Sequence, residues 1–182
     1  MESRSIFLLH GRGGSPDGSV KQLENELHHY HPAITSSDSF QRPKLLHTDP
    51  EVTAEASLAD LAAQNLPHSA VVIGISFGGL LAARLQEQGR EDLDVIAISA
   101  PTWADALRVE KRMPNRIALY SSEDVVLAGR TKDWPHLAQA FDLPWLTHDT
   151  DQHKRELARL IFAYLKGESL PLAIQEVESA MT

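Results

Sequence analysis

Four short apolar runs, Ile6–Leu9, Val71–Ile75, Val95–Ile98 and Ile117–Tyr120, are continuous rather than alternating. A strand with one face in water alternates apolar and polar side chains, whereas a strand covered on both faces does not. The segments between the runs carry a helical period. Val20, Leu23, Leu27 and Tyr30 form one apolar stripe, and Leu157, Leu160, Ile161, Tyr164 and Leu165 form another that stops at Gly167. Repeated strand–helix alternation needs right-handed crossovers. The pattern predicts an α/β fold: a doubly wound, mostly parallel sheet with helices on both faces.

Weaker signals fill in the rest. Leu143–Thr147, broken by Pro144, reads as the last strand, and Ala33–Phe40 as a further short one. Asp49-Pro50-Glu51 combines an N-cap, a first-turn proline and an acid near the positive helix end, so a helix is expected from there to about Asn65. Another should follow Gly78-Gly79 and end near Gly89. Beyond Pro171, residues 172–180 suit either a short helix or a loosely held end.

The 182 residues suit one domain spanning 1–182, with 166–182 as a tail or short helix. Acidic side chains outnumber basic ones, 25 to 17, and a net charge of −8 gives no general attraction to a phosphate backbone, so no nucleic-acid partner is expected. The chain has no cysteine, which excludes disulfides, thiolate–zinc sites, iron–sulfur centres and a thiol nucleophile. No apolar run reaches the roughly 18–20 residues of a membrane helix. No leader is read before His10, and the expectation is a cytoplasmic protein without a membrane partner. Nothing in the sequence fixes an oligomeric state.

Gly74-Ile75-Ser76-Phe77-Gly78 ends one apolar run and opens a helical segment, the context of a G-x-S-x-G nucleophile elbow. The serine must stand on a sharp, strained turn to expose its hydroxyl above the sheet. The flanking positions approach strand and helix too closely for a Cβ, which calls for glycine at both. The helix that follows starts beneath the serine, so its first N–H groups face any oxyanion formed there. An oxyanion hole needs a second donor. His10-Gly11-Arg12-Gly13-Gly14-Ser15, after the first run, supplies a glycine-rich loop for it. The pair is then the backbone N–H of Phe77 and, most simply, that of Arg12.

In these two motifs the chain resembles the α/β-hydrolase superfamily. The His10-Gly11 loop matches that family's oxyanion loop and Gly74–Gly78 its elbow. The resemblance runs from about Ile6 to Leu165. It implies a fold whose first strands are absent and which has no cap, since only about 15 residues separate Pro101 from Asn115, where a lid is often inserted. It also implies a triad in the order serine, acid, histidine. The acid should follow Ile117–Tyr120. The resemblance favours Asp124, which is followed by two valines, over Glu123. The histidine should follow the last strand. His153, at the junction with the final helix, is preferred and His148 is its rival. His153 departs from the family pattern, because it follows Asp151-Gln152 rather than a glycine.

Other candidates are weaker. The glycine loop lacks the third glycine of a dinucleotide fingerprint, where Pro16 stands, and Ser19 replaces the lysine of a Walker loop, so no nucleotide cofactor is implied. His28, His29 and His31 lack metal-ligand spacing and read as solvated residues at a helix end. His10 is read as hydrogen-bonding nearby backbone. His47, His68 and His136 fall in no chemical pattern. The Arg12 side chain is read as solvated. Trp103, after the fourth run, is the best candidate to line an acyl pocket, with packing as the default for it, Trp134 and Trp145.

A serine nucleophile with a histidine base suits acyl transfer, so the leading expectation is hydrolysis of a small-molecule carboxylic ester, a thioester or an acylated substrate, with no cofactor and no metal. A peptidase or acyltransferase of the same fold is an alternative. A non-catalytic binding module on this fold is the reading from a different class.

Overall fold

The structure, a computed structural model, describes residues 4–30 and 39–182. Six parallel strands form one sheet in the order β2-β1-β3-β4-β7-β8. They are β1 (Ser5–Leu9), β2 (Ser39–Gln41), β3 (Val71–Ile75), β4 (Asp94–Ile98), β7 (Arg116–Tyr120) and β8 (Gln139–Asp142). A two-residue antiparallel ribbon, β5 (Trp103–Ala104) with β6 (Leu107–Arg108), stands apart from it. The helices are α1 (Ser19–Tyr30), α2 (Ala54–Ala63), α3 (Phe77–Glu87), the single turn α4 (Trp134–Leu137), α5 (Lys154–Leu165) and α6 (Leu170–Ala180). Among the described residues no helix is long and apolar enough to cross a membrane.

The four continuous runs became the four central strands for the reason anticipated. Phe7, Leu9, Val72, Val95 and Ala97 point to a core shared with Leu58 and Leu61 of α2 and Leu80 and Leu81 of α3. Their neighbours Ile6, Leu8, Ile73, Ile96 and Ile98 point the other way, to a core shared with Val20, Leu23 and Leu27 of α1 and Leu157, Leu160 and Ile161 of α5. Successive side chains of a strand face opposite sides, so a sheet covered twice needs an apolar residue at every position. Each fully buried aliphatic side chain contributes about 1.5–3 kcal/mol.

The last strand differs from the expectation. It is Gln139–Asp142, not Leu143–Thr147. Phe141 and Ala140 pair with Leu119 and Ala118 of β7, and the Leu143 N–H donates to the Tyr120 carbonyl oxygen at 2.6 Å. Pro144, which lacks an N–H, follows at once. Leu143 and Leu146 are buried from a loop, so their apolarity serves packing rather than a strand. The fold therefore turns upward several residues earlier than the apolar run indicates.

Two helix boundaries also move. Helix α2 starts at Ala54, and its cap is Thr53, whose hydroxyl accepts from the Ala56 N–H at 3.2 Å. Asp49 instead closes a turn by accepting from the Glu51 N–H at 3.0 Å. The tail is helical from Leu170, with Ser169 as cap and Pro171 inside the first turn, where a missing N–H costs nothing. Leu170, Ala173, Ile174 and Val177 are buried against the α5 side of the sheet. Most of the anticipated strand at Ala33–Phe40 lies outside the described residues, as does His31.

Candidate functional site

The elbow joins β3 to α3. Ser76 takes φ 55° and ψ −122°, in the left-handed half of backbone space that a side chain rarely enters. The glycines around it are dictated by contact. A Cβ at Gly78 would overlap the Leu9 carbonyl group and come within 2.8 Å of the His10 carbonyl oxygen, and one at Gly74 would overlap the backbone of Gly78 and Gly79. The Ser76 N–H donates to the Ile98 carbonyl oxygen at 2.8 Å, which ties the turn to β4. Helix α3 begins with Phe77, whose N–H is among those a helix leaves without an internal partner.

Beside the hydroxyl stands an imidazole. Ser76 Oγ lies 3.2 Å from Nε2 of His148, and His148 Nδ1 lies 2.9 Å from Oδ2 of Asp124. A carboxylate can only accept, so Nδ1 carries the proton and Nε2 offers its lone pair to the serine hydroxyl. The Asp124 side chain is 1% exposed and the imidazole 25%. The other carboxylate oxygen, Oδ1, accepts from the N–H groups of Val126 at 3.0 Å and Leu127 at 3.3 Å, which fixes the plane of the acid. Glu123 is exposed beside it and takes no part.

The histidine that meets Ser76 is therefore His148, and the preference for His153 is corrected. The cause is the displaced strand. With β8 ending at Asp142, the loop over the sheet ends near His148, and His153 already caps α5. His153 packs edge-on against Trp145, with ring centroids 5.4 Å apart, and its Nε2 lies 3.1 Å from the Thr147 hydroxyl.

The glycine loop also lies beside the serine. An added Cβ at Gly11 would stand 3.4 Å from the Ser76 Cβ, so the loop backbone approaches the nucleophile itself. The Gly13 N–H donates to the His47 carbonyl oxygen at 2.7 Å and that of Gly14 to Gly11 at 3.0 Å. Arg12 sits between these anchored residues and lines the cleft. Its side chain is not simply solvated. The guanidinium lies 4.3 Å from the centre of the Phe77 ring and donates to Asp105 at 2.8 Å. Asp105 also accepts from the Ala54 N–H at 2.9 Å, and that bond, ahead of the arginine, holds its carboxyl below the usual range.

Beneath the loop lie two buried histidines, of which sequence patterning had picked neither for the site. His10 Nδ1 donates to the Gly11 carbonyl oxygen at 2.9 Å, in line with its expected backbone role, and its Nε2 accepts from the Leu45 N–H at 3.2 Å. His47 Nε2 donates to the His10 carbonyl oxygen at 2.8 Å. Burial lowers the pKa of both, and that of His47 falls to about 4.

A cleft of about 450 Å³ opens over Ser76, with Ser15, Val20, Ile75, Val126 and Thr150 in its walls beside His148. Trp103 does not line it. That ring is 39% exposed on the β5–β6 ribbon, with the Arg130 guanidinium 5.3 Å from its centre. Trp134 is fully buried and donates to the Ala100 carbonyl oxygen at 2.7 Å, and Trp145 donates to Glu178 at 3.1 Å. His28 faces Glu24 at 3.6 Å. Among the described residues no group of three or more histidine and carboxylate side chains stands together as a metal site.

No family model and no curated protein matches the sequence. Solved structures do match. A meta-cleavage product hydrolase from Pseudomonas fluorescens superposes with a TM-score of 0.68 at 14% identity, covering 91% of this chain and 92% of its own. A Xanthomonas campestris protein described as a hydrolase of the alpha/beta superfamily gives 0.67 at 19%, covering 90% and 99%. The chain has the α/β-hydrolase fold. A thermophilic esterase from Thermogutta terrifontis gives 0.62 at 12%, covering 91% of this chain and 90% of its own.

Proposed function

We propose that this protein is a serine hydrolase of carboxylic esters or thioesters that works through an acyl-enzyme on Ser76. The observation that carries the reading is the hydrogen-bonded line from Ser76 Oγ through His148 to the buried Asp124, at 3.2 and 2.9 Å. That the structures sharing this fold include a named hydrolase and a named esterase is consistent with it.

The steps follow from the protonation states. Neutral His148 takes the Ser76 proton at Nε2 as the oxygen attacks the acyl carbon. Asp124 holds the imidazole in the required tautomer and stabilises the cation that forms. The backbone N–H groups of Arg12 and Phe77 receive the oxyanion, and removing one such donor typically costs about 3–4 kcal/mol of barrier. His148 then returns the proton to the departing alcohol or thiol, and water repeats the sequence to release the acid. The apolar walls at Val20, Ile75 and Val126 suit a small apolar group, and the open cleft suits a substrate presented from solvent.

A fluorophosphonate probe tests the reading. Ser76 should be labelled in the folded wild type and Ser76→Ala should not be, and p-nitrophenyl acetate should be hydrolysed only by the former. A folded wild type that neither labels nor hydrolyses esters or thioesters would leave a non-catalytic binding module as the function.

A further inference from the structure

The His10 carbonyl oxygen is held from two sides. On one it lies against the elbow, close enough that a Cβ at Gly78 would come within 2.8 Å of it. On the other it accepts the Nε2–H of His47 at 2.8 Å. The peptide it belongs to leads directly into Gly11 and Arg12, which line the cleft beside Ser76. The same His47 accepts the Gly13 N–H through its own carbonyl oxygen at 2.7 Å. One residue thus grips the glycine loop at both ends, before and after Arg12.

We propose that His47 is a positioning residue for the oxyanion hole: its Nε2–H, given to the His10 carbonyl oxygen, sets the loop so that the Arg12 N–H meets the developing negative charge. This rests on the serine-hydrolase reading above. His47 touches no reacting atom and acts only through the loop.

The surroundings of His47 support a neutral ring with a single fixed proton. It is completely buried, and its Nδ1 has no hydrogen-bond partner among the described residues. A bare ring nitrogen tolerates that better than an N–H would, because an unmet buried donor carries its full desolvation cost. The His10 ring, 4.6 Å away, and the Arg12 guanidinium are the groups nearby that would oppose a second proton. Phe77, edge-on at 4.8 Å, closes the remaining side. The ring is therefore wedged between the loop it holds and the first residue of α3, which carries the other proposed oxyanion donor.

The test compares His47→Phe, which keeps a planar ring and loses the donor, with His47→Gln, whose amide N–H reaches about as far as Nε2. On a p-nitrophenyl ester, His47→Phe should lower kcat about tenfold or more with KM within about twofold, since a misplaced donor is felt in the transition state. Inhibition by phenylboronic acid should weaken by the same factor as kcat. His47→Gln should recover most of both. Wild-type kcat in His47→Phe, or equal losses in the two variants, would overturn the proposal. Should His47→Phe fail to fold, His47→Asn replaces it. Its shorter amide reaches the Nδ1 position, so it should stay impaired where His47→Gln does not, and parity between them would overturn the proposal.

Amide exchange separates this inference from the one beneath it. The N–H groups of Gly13 and Gly14 should exchange at least about tenfold faster in His47→Phe and near the wild-type rate in His47→Gln. A wild type that proves inactive toward esters and the probe removes the hydrolase reading, and exchange alone then decides whether His47 holds the loop. Unchanged exchange in His47→Phe overturns that as well.

Discussion

His148 and Asp124 meet through a single 2.9 Å hydrogen bond, and the oxygen that accepts it belongs to a carboxylate 1% exposed in its side chain. The neighbouring Glu123 has the same charge but faces solvent, and its backbone N–H donates to the Ser121 hydroxyl at 3.1 Å. Burial and orientation, not charge, separate the two acids. Asp124→Asn should lower kcat by about 10³–10⁴, because an amide in place of the carboxylate favours the wrong imidazole tautomer. Glu123→Gln should stay within about threefold of wild type. A steady-state ester assay on both variants checks this, and a strong loss in Glu123→Gln would reassign the acid.

The two histidines give a second contrast. His148→Ala should abolish probe labelling of Ser76 and reduce ester hydrolysis by at least about 10³. His153→Ala removes a ring that sits on Trp145 beside the Thr147 hydroxyl, and should change kcat by less than about threefold. The steady-state ester assay on both variants checks this, and a strong loss in His153→Ala with little in His148→Ala would return the base to His153.

The sequence favours His153 because its apolar pattern places the last strand too late in the chain. Leu143–Thr147 is the more apolar segment, and apolarity is what a sequence displays. The strand that formed, Gln139–Asp142, lies on the sheet edge with Gln139 and Asp142 exposed, so its composition carries little strand signal. A shift of the last strand by four residues moved the loop, and with it the histidine. The central strands were legible because burial on both faces leaves an unmistakable run. The elbow was legible because close backbone approach leaves only glycine at 74 and 78, and the glycine loop because its turn takes a positive φ of 76° at Gly13. The surroundings of Trp103 and His47 were not, since both are set by segments distant in the chain. The loop that brings His47 under His10 is 37 residues away in the chain, and no local pattern encodes that contact.

Burial of His47 has a consequence for stability. Its pKa is about 4 in the folded protein against an ordinary 6.5, with desolvation as the main cause. The unfolded chain therefore binds a proton that the folded one refuses between those values. Stability from this group is intact above about pH 6.5 and is lost as pH falls toward 4, by roughly 3 kcal/mol in all. His10, also lowered by burial, adds loss in the same direction. Urea unfolding at pH 7 and pH 4.5 should show a fall in stability that is about 2–3 kcal/mol smaller in His47→Gln than in wild type. An equal fall in both proteins would mean that His47 is protonated in the fold.

The backbone at Ser76 stores strain that the reading of the site requires. With φ 55° and ψ −122°, the serine occupies a conformation costing a residue with a Cβ about 1–3 kcal/mol. Glycine adopts it freely but gives up about 0.5–1 kcal/mol through the greater entropy of its unfolded chain. Ser76→Gly should therefore be inactive and yet more stable than wild type by about 1 kcal/mol. Ser76→Ala should be equally inactive without that gain, since its Cβ keeps the strain. Paired denaturation curves on the two variants separate relief of backbone strain from simple loss of the hydroxyl. If both were stabilised equally, the elbow would be unstrained, and the exposure of the nucleophile would owe nothing to the bent backbone beneath it.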